Sequence, residues 1–204
     1  MAGCAYGRRY AYHLGSPMVE QGRAMSIALA VQDQRDSVNA GGRTDFVGVF
    51  RGGFGNSFDV TTASGQPLAA DFAVSIQRGL EAAGYRVTPV PVMDRARAEI
   101  VARALAKTNA DRLMAVTIDV WHSDTLSRSW LHYGVRLRVL DAGGRELGRA
   151  AVSGSDVVGG HAPRADNFVE IALPAAYVRK LETLLNDPAV KRALLPAEPS
   201  SAVE

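Results

Sequence analysis

Two runs of alternating apolar residues constrain this chain more than anything else in it. Leu113 to Trp121 reads LMAVTIDVW, and Leu131 to Leu140 reads LHYGVRLRVL. In an extended strand, successive side chains point to opposite faces. Met114, Val116, Ile118 and Val120 therefore share one face, and Leu131, Tyr133, Val135, Leu137 and Val139 share one face of the second run. His132, Arg136 and Arg138 fall on the outer face of that run. The connection at Ser123 to Ser129 makes the two runs a hairpin. Asp141-Ala142-Gly143-Gly144 is a turn signal, which brings Glu146 to Val152 back as a third strand. A chain with this pattern builds an antiparallel sheet with its core on one side.

The remaining elements supply what covers that side. Met25 to Gln34 is a strand that turns polar at Asp33-Gln34-Arg35-Asp36, and Ser37 to Thr44 is a loop. Asp71 is placed to cap a helix whose stripe is Phe72, Ile76, Leu80 and Ala83 and whose stop is Gly84. Arg86 to Val92 is a short strand kept at a sheet edge by Pro89 and Pro91. A second helix runs from an Asp94 cap to Lys107, and Gly154 to Arg164 is a loop. A C-terminal helix spans Asp166 to Leu185, with Phe168, Ile171, Ala175, Val178 and Leu181 inward and a kink or restart at Pro174. Asp187-Pro188 opens a last short helix. The order predicts one α+β domain over residues 23–195: a single mixed β-sheet with about three packed helices. Residues 1–22 read as a tether and 196–204 as a disordered tail.

Between the first strand and the first helix lies RTDFVGVFRGGFGNSFDVTTASGQPL, Arg43 to Leu68, which holds four of the six phenylalanines. Their four-residue spacing imitates a helix, but Gly48, Gly52, Gly53 and Gly55 oppose one, each costing about 1 kcal/mol relative to alanine. Read as an extended ribbon, Phe46, Phe50, Phe54 and Phe58 share a face. They serve either as core beneath the sheet or as a contact surface formed by Phe50, Arg51, Phe54 and Phe58, since glycine-rich centres of ribbons run at the surface. The glycines do not form a phosphate loop: RGGFGNS lacks the lysine and the spacing that motif requires.

Other chemistry is sparse. The histidines are His13, His122, His132 and His161. His122 and His132 lie across the hairpin with Asp124 near, but strict alternation puts their imidazoles on opposite faces unless a bulge intervenes. No nucleophile-elbow motif occurs, and no cofactor is expected. Twenty-three basic and 21 acidic residues give a net charge of +2 with no basic run beyond Arg8-Arg9, which is no nucleic-acid footprint. The single cysteine, Cys4, forbids an internal disulfide. Met1-Ala2-Gly3-Cys4 has the small residues that precede a lipidated cysteine in bacterial lipoproteins. We expect Cys4 to carry a lipid and the chain to start within a signal peptide.

Three segments resemble the YajG-like family of bacterial envelope lipoproteins: Val31-Gln32-Asp33-Gln34-Arg35, RGGFGNSFDVTTASGQPLA at 51–69, and the helix ending Gly84-Tyr85-Arg86-Val87. The resemblance implies a lipid-anchored periplasmic domain at the outer membrane, without enzyme activity, that acts as a binding or assembly accessory. It supplies no catalytic residues. One alternative is a structural subunit of an envelope machine that forms homo-oligomers through the Phe-rich ribbon. Another is a small-ligand or metal-binding protein, or an enzyme, using the hairpin end at His122 and Asp124.

Overall fold

A computed structural model of the chain describes residues 7–20, 22, 24–52, 56–92, 103, 107–160 and 165–195. Eight strands form one mixed sheet: β1 Arg9–Tyr10, β2 Ser26–Asp33, β3 Phe46–Arg51, β4 Ser57–Thr62, β5 Arg86–Pro89, β6 Arg112–Thr125, β7 Arg128–Asp141 and β8 Glu146–Gly160. Four helices are described, α1 Asp36–Asn39, α2 Leu68–Ala82, α3 Ala165–Leu185 and α4 Pro188–Ala193, together with a 3-10 turn at Tyr12–Leu14. The α+β class, the single mixed sheet and the C-terminal helix are as the sequence predicts.

β6 is the spine, and its two edges are used differently. One edge pairs along its whole length with β7, which in turn pairs with β8. The other edge is shared: Arg112 to Ile118 pair in parallel with β2, whereas Ser123 to Thr125 pair in parallel with β3. The sheet therefore forks. One branch continues through β2 to the edge strand β5, and the other through β3 and β4 to β1. The prolines do place β5 at an edge.

The fork is held by one ion pair. Arg35 and Asp33 are 4% and 0% exposed, and the Arg35 side chain spends all its donors. Nε and Nη2 donate to the Asp33 carboxylate at 2.6–3.0 Å, Nη2 to Thr44 O at 3.1 Å, and Nη1 to Phe46 O at 2.5 Å and Trp121 O at 3.3 Å. Where β6 changes partner, its backbone and that of β3 would otherwise face a gap. The planar guanidinium fills it because its five N–H groups reach several carbonyls at once.

Between Ile118 and Val120, β6 carries a bulge, and this changes its parity. Met114, Val116 and Ile118 are buried in the main core as predicted. Beyond the bulge Trp121, Ser123 and Thr125 take the core side, and Val120, expected inward, is 44% exposed. β7 keeps its phase, with Leu131, Val135, Leu137 and Val139 buried.

The main core lies under α2, α3 and α4. The α2 stripe is as read: Phe72, Ile76 and Leu80 are buried, each contributing about 1.5–3 kcal/mol. Gly84, at φ +95°, ends that helix in the left-handed region. At the centre five rings interlock: Tyr12–Tyr177 centroids are 4.9 Å apart, Phe72–Tyr177 4.8 Å, Phe72–Trp121 5.2 Å, and Tyr10–Tyr12 6.0 Å. Edge-to-face packing of this kind adds to simple burial. A smaller cluster, Ala28, Ala30, Ala110, Leu113 and Leu140, is buried separately from it, so β2 is covered on both faces.

Several expectations are corrected. Residues 7–20 of the stretch read as a tether pack into the domain, because Tyr10 and Tyr12 are fully buried and Arg78 and Ser75 of α2 bind the 12–15 backbone. Mixed composition hid this, since its core-facing residues, Tyr10, Tyr12, Pro17 and Val19, follow no single period. Asp71 does not cap α2; Pro67 precedes the helix, and the Asp71 side chain is buried against Ser64 Oγ at 2.6 Å. A short helix, α1, stands within the expected 37–44 loop. β8 continues to Gly160 through the segment read as a loop. In α3 the buried face is Leu173, Ala176, Tyr177, Leu181, Leu184 and Leu185, whereas Ile171, expected inward, is 71% exposed. The aromatic Tyr177 sets the phase of that helix. Asp187 does cap α4, accepting from Ala189 N at 2.7 Å. The helix expected from Asp94 lies outside the described residues except at 103 and 107, as do the tail from 196 and the Phe168 side chain.

Candidate partner-binding face

The bulge in β6 decides what appears on the sheet's solvent side. With parity reversed after Ile118, His122 turns outward and pairs directly across from His132. The two imidazoles stack at 6.4 Å between centroids and 26° between planes. Phe46 lies on the other side of His122 at 5.8 Å, and Trp130 stacks on His132 at 6.4 Å and 12°. Four rings, Phe46–His122–His132–Trp130, so form one row on the face opposite Trp121. Alternation alone separates the two histidines; the intervening residue Asp119 brings them together. A mid-strand bulge leaves no reliable signal in side-chain alternation, which is why the row is not legible there.

The row is polar at its centre and anchored there. His132 Nδ1 lies 2.6 Å from Ser155 Oγ on β8. Arg51 holds Asp124 with both prongs, Nε to Oδ1 at 3.0 Å and Nη2 to Oδ2 at 2.7 Å, and this hydrogen bonding pulls the Asp124 carboxyl below its usual pKa. Burial pushes the His122 pKa down, against the opposing pull of Asp124. Both oxygens of Asp124 are thus engaged, and among the described residues no three His, Cys, Asp or Glu side chains converge on a point where a metal could sit.

The Phe-rich ribbon is a hairpin, β3–β4, rather than a single face. Phe50 pairs directly across from Phe58. A bulge between Phe46 and Gly48 separates Phe46, which joins the ring row, from Phe50, which packs against the main core with Arg8 at 3.9 Å above its ring. Gly48 is at φ +154°, and a Cβ there would collide with Ser123 on β6, so only glycine lets the two strands meet. Phe46, Phe50 and Phe58 are each half-buried: neither wholly core nor wholly surface. Phe54 and Cys4 lie outside the described residues.

At the Trp130 end of the row three exposed apolar side chains gather where β6 turns into β7: Leu126 at 60%, Trp130 at 39% and, across from Trp130 on β8, Val157 at 48%. No helix among the described residues is long and apolar enough to cross a membrane.

Compared with protein-family models and with curated protein sequences, the chain matches none. Solved structures do resemble it. Protein XCC0632 from Xanthomonas campestris, of the DUF330 family, superposes with a TM-score of 0.50 at 14% identity over 86% of this chain and 90% of that one. Lipoprotein GNA1162 from Neisseria meningitidis gives 0.43 at 16% identity over 77% and 97%. A PelC dodecamer from Paraburkholderia phytofirmans gives 0.42 at 15% identity over 84% and 94%. At these identities the likeness is one of fold, and the last two are too distant in shape for anything to rest on them.

Proposed function

We propose that this chain is a non-enzymatic envelope lipoprotein, anchored through Cys4 to the periplasmic side of the outer membrane, that works by binding a protein partner. The observation that carries the binding role is the row Phe46–His122–His132–Trp130. A sheet face left to solvent is ordinarily polar. A run of stacked rings there, with Trp130 39% exposed, has the composition of a contact surface. The lipid anchor is supported by Met1-Ala2-Gly3-Cys4 and by the resemblance of 31–35, 51–69 and 84–87 to envelope lipoproteins.

The binding role is tested by placing a photo-crosslinking residue at position 130 and, as a control, at Ile171 in the anchored protein in cells. The reading predicts one discrete adduct from position 130 and none from 171. No adduct at 130, or the same ladder from both, contradicts it.

A second reading, a self-assembling subunit, is favoured by β8. This strand is 15 residues long and pairs only with β7 among the described residues. Its stretch Ala150 to Ser155 carries no charge or proline, the devices that usually blunt an edge. Sedimentation of the purified protein tests it: a species larger than the monomer supports self-assembly through this edge, and a monomer at all concentrations contradicts it.

A further inference from the structure

β7 carries two kinds of chemistry on one face. Trp130, His132, Gly134, Arg136 and Arg138 alternate with the buried Leu131, Val135, Leu137 and Val139, so all five lie on the solvent side of the sheet. Together they make a strip about 27 Å long. Its first half belongs to the ring row and its second half is basic. Between the halves Val120, paired with Gly134, leans over a position where a Cβ would stand 3.4 Å from it.

Arg138 on β7 pairs directly with Arg149 on β8. Like charges so placed destabilise a sheet. One carboxylate serves both: Arg138 Nε donates to Glu146 Oε2 at 2.7 Å, and Arg149 Nε stands 3.8 Å from Glu146 Oε1. Two residues along β7, Arg136 is held by Asp119, the bulge residue, through Nε and Nη2 at 2.6 Å each. Three guanidiniums thus share two carboxylates, and the terminal nitrogens of Arg138 and Arg149 have no hydrogen bond among the described residues. The side chains directly across from Arg136 and Arg138 are otherwise small: Ala115 and Thr117 on β6, and Ala151 on β8. A cleft of about 400 Å³ results, lined by Thr117, Arg136, Arg138, Glu146, Arg149 and Ala151.

Guanidiniums bind carboxylates in planar, two-pronged fashion. Arg136 and Arg138 stand about 6.7 Å apart along the strand, the repeat of alternate side chains in an extended chain. We infer that the cleft receives an acidic segment of the protein partner, whose alternate Asp or Glu side chains meet Arg136 and the Arg138–Arg149 pair, while an apolar part of the same partner lies on the ring row. This inference rests on the partner-binding reading above and deepens it. The partner has two parts, and β7 fixes their order. A free phosphate or a lipid headgroup matches the charge of the cleft but leaves the rings on the same strand uncovered; a protein segment covers both.

The test places a photo-crosslinking residue at Ala151, exposed beside the cleft, and at position 130, in the anchored protein in cells. Mass spectrometry identifies what is joined. The inference predicts one partner chain at both positions, with alternate Asp or Glu in the peptide joined to 151 and apolar residues in the peptide joined to 130. Arg138→Gln with Arg149→Gln lowers the 151 adduct about fivefold and leaves urea stability unchanged or higher, since a like-charge pair is removed. Changing the partner's acidic residues to Lys also lowers it, and Arg138→Glu with Arg149→Glu then restores it. An adduct at 130 without one at 151, a phospholipid or a different protein at 151, a 151 peptide without Asp or Glu, or a 151 adduct indifferent to the Gln pair overturns the inference and leaves the binding reading standing. No adduct at 130 overturns both.

Discussion

Arg35 and Asp33 face each other in the interior at 2.6 Å, two residues apart in sequence and fully committed to a single junction. Asp33 ends the strand that β6 abandons, and Arg35 reaches the backbone of the strand that β6 adopts. Removing one partner leaves a buried charge without its counterpart, which costs about 3–5 kcal/mol. We predict that Arg35→Ala and Asp33→Ala each lower urea stability by about that amount, and that the double variant loses clearly less than their sum. Arg35→Lys should not rescue, because an ammonium has three donors and cannot serve the Asp33 carboxylate as well as Phe46 O, Thr44 O and Trp121 O. Additive single effects would contradict this view of the junction.

The N-terminal segment should matter to stability as well as to attachment. Tyr12 is fully buried among Tyr10, Trp121 and Tyr177. Tyr12→Ala should cost about 3–5 kcal/mol, the usual range for an aromatic ring lost from a core. Thermal or chemical denaturation measures it. A near-neutral result would return residues 7–20 to the status of a tether.

Three of the buried phenols set an alkaline limit. Burial pushes Tyr10 up to about 12 and raises Tyr12 and Tyr177 as well. Above pH 10 the unfolded chain loses these protons and the folded chain keeps them, so the unfolded state binds fewer protons and stability falls as pH rises. Below pH 10 the contribution is constant. Each group adds to this downward slope, so the three together predict a loss on the order of a few kcal/mol between pH 10 and 12. Urea midpoints at pH 9, 10 and 11 check this, with the phenolate absorbance of Tyr10, Tyr12 and Tyr177 appearing only as the protein unfolds. A flat midpoint to pH 11 would contradict it.

What the sequence discloses and what it hides follow from the same physics. The α2 stripe, the β7 face and the edge position of β5 were readable because each obeys one period or one proline rule from end to end. Val120, His122 and Trp121 were not, because one extra residue, Asp119, reverses alternation without leaving a mark. Tyr10 and Tyr12 were missed because a two-residue strand and a 3-10 turn are too short to show a period. The ring row depends on that bulge, so the candidate site was legible only as a conditional pairing of His122 with His132. Of the contact surface read from Phe50, Arg51, Phe54 and Phe58, the structure places Arg51 on Asp124 beside the row and Phe50 on the core, while Phe54 lies outside the described residues.

Exposed rings should carry association and little stability. Trp130→Ser is predicted to change folding stability by about 0.5 kcal/mol or less while abolishing the crosslinked adduct formed by a photo-crosslinker at the adjacent exposed Val157. Phe50→Ser, which uncovers part of the core beneath Arg8, should instead cost about 1–3 kcal/mol. Denaturation and crosslinking on the same samples separate the two roles. A large stability loss from Trp130→Ser would make the row structural.

The anchor is tested most directly by fractionating cells that express the full chain behind a complete signal peptide, with Cys4 and with Cys4→Ser. The account predicts that the first is recovered in outer membranes and takes up labelled fatty acid, and that the second is soluble in the periplasm without label. Recovery of the Cys4 protein in the soluble fraction, or of Cys4→Ser in the membrane at the same level, would contradict it.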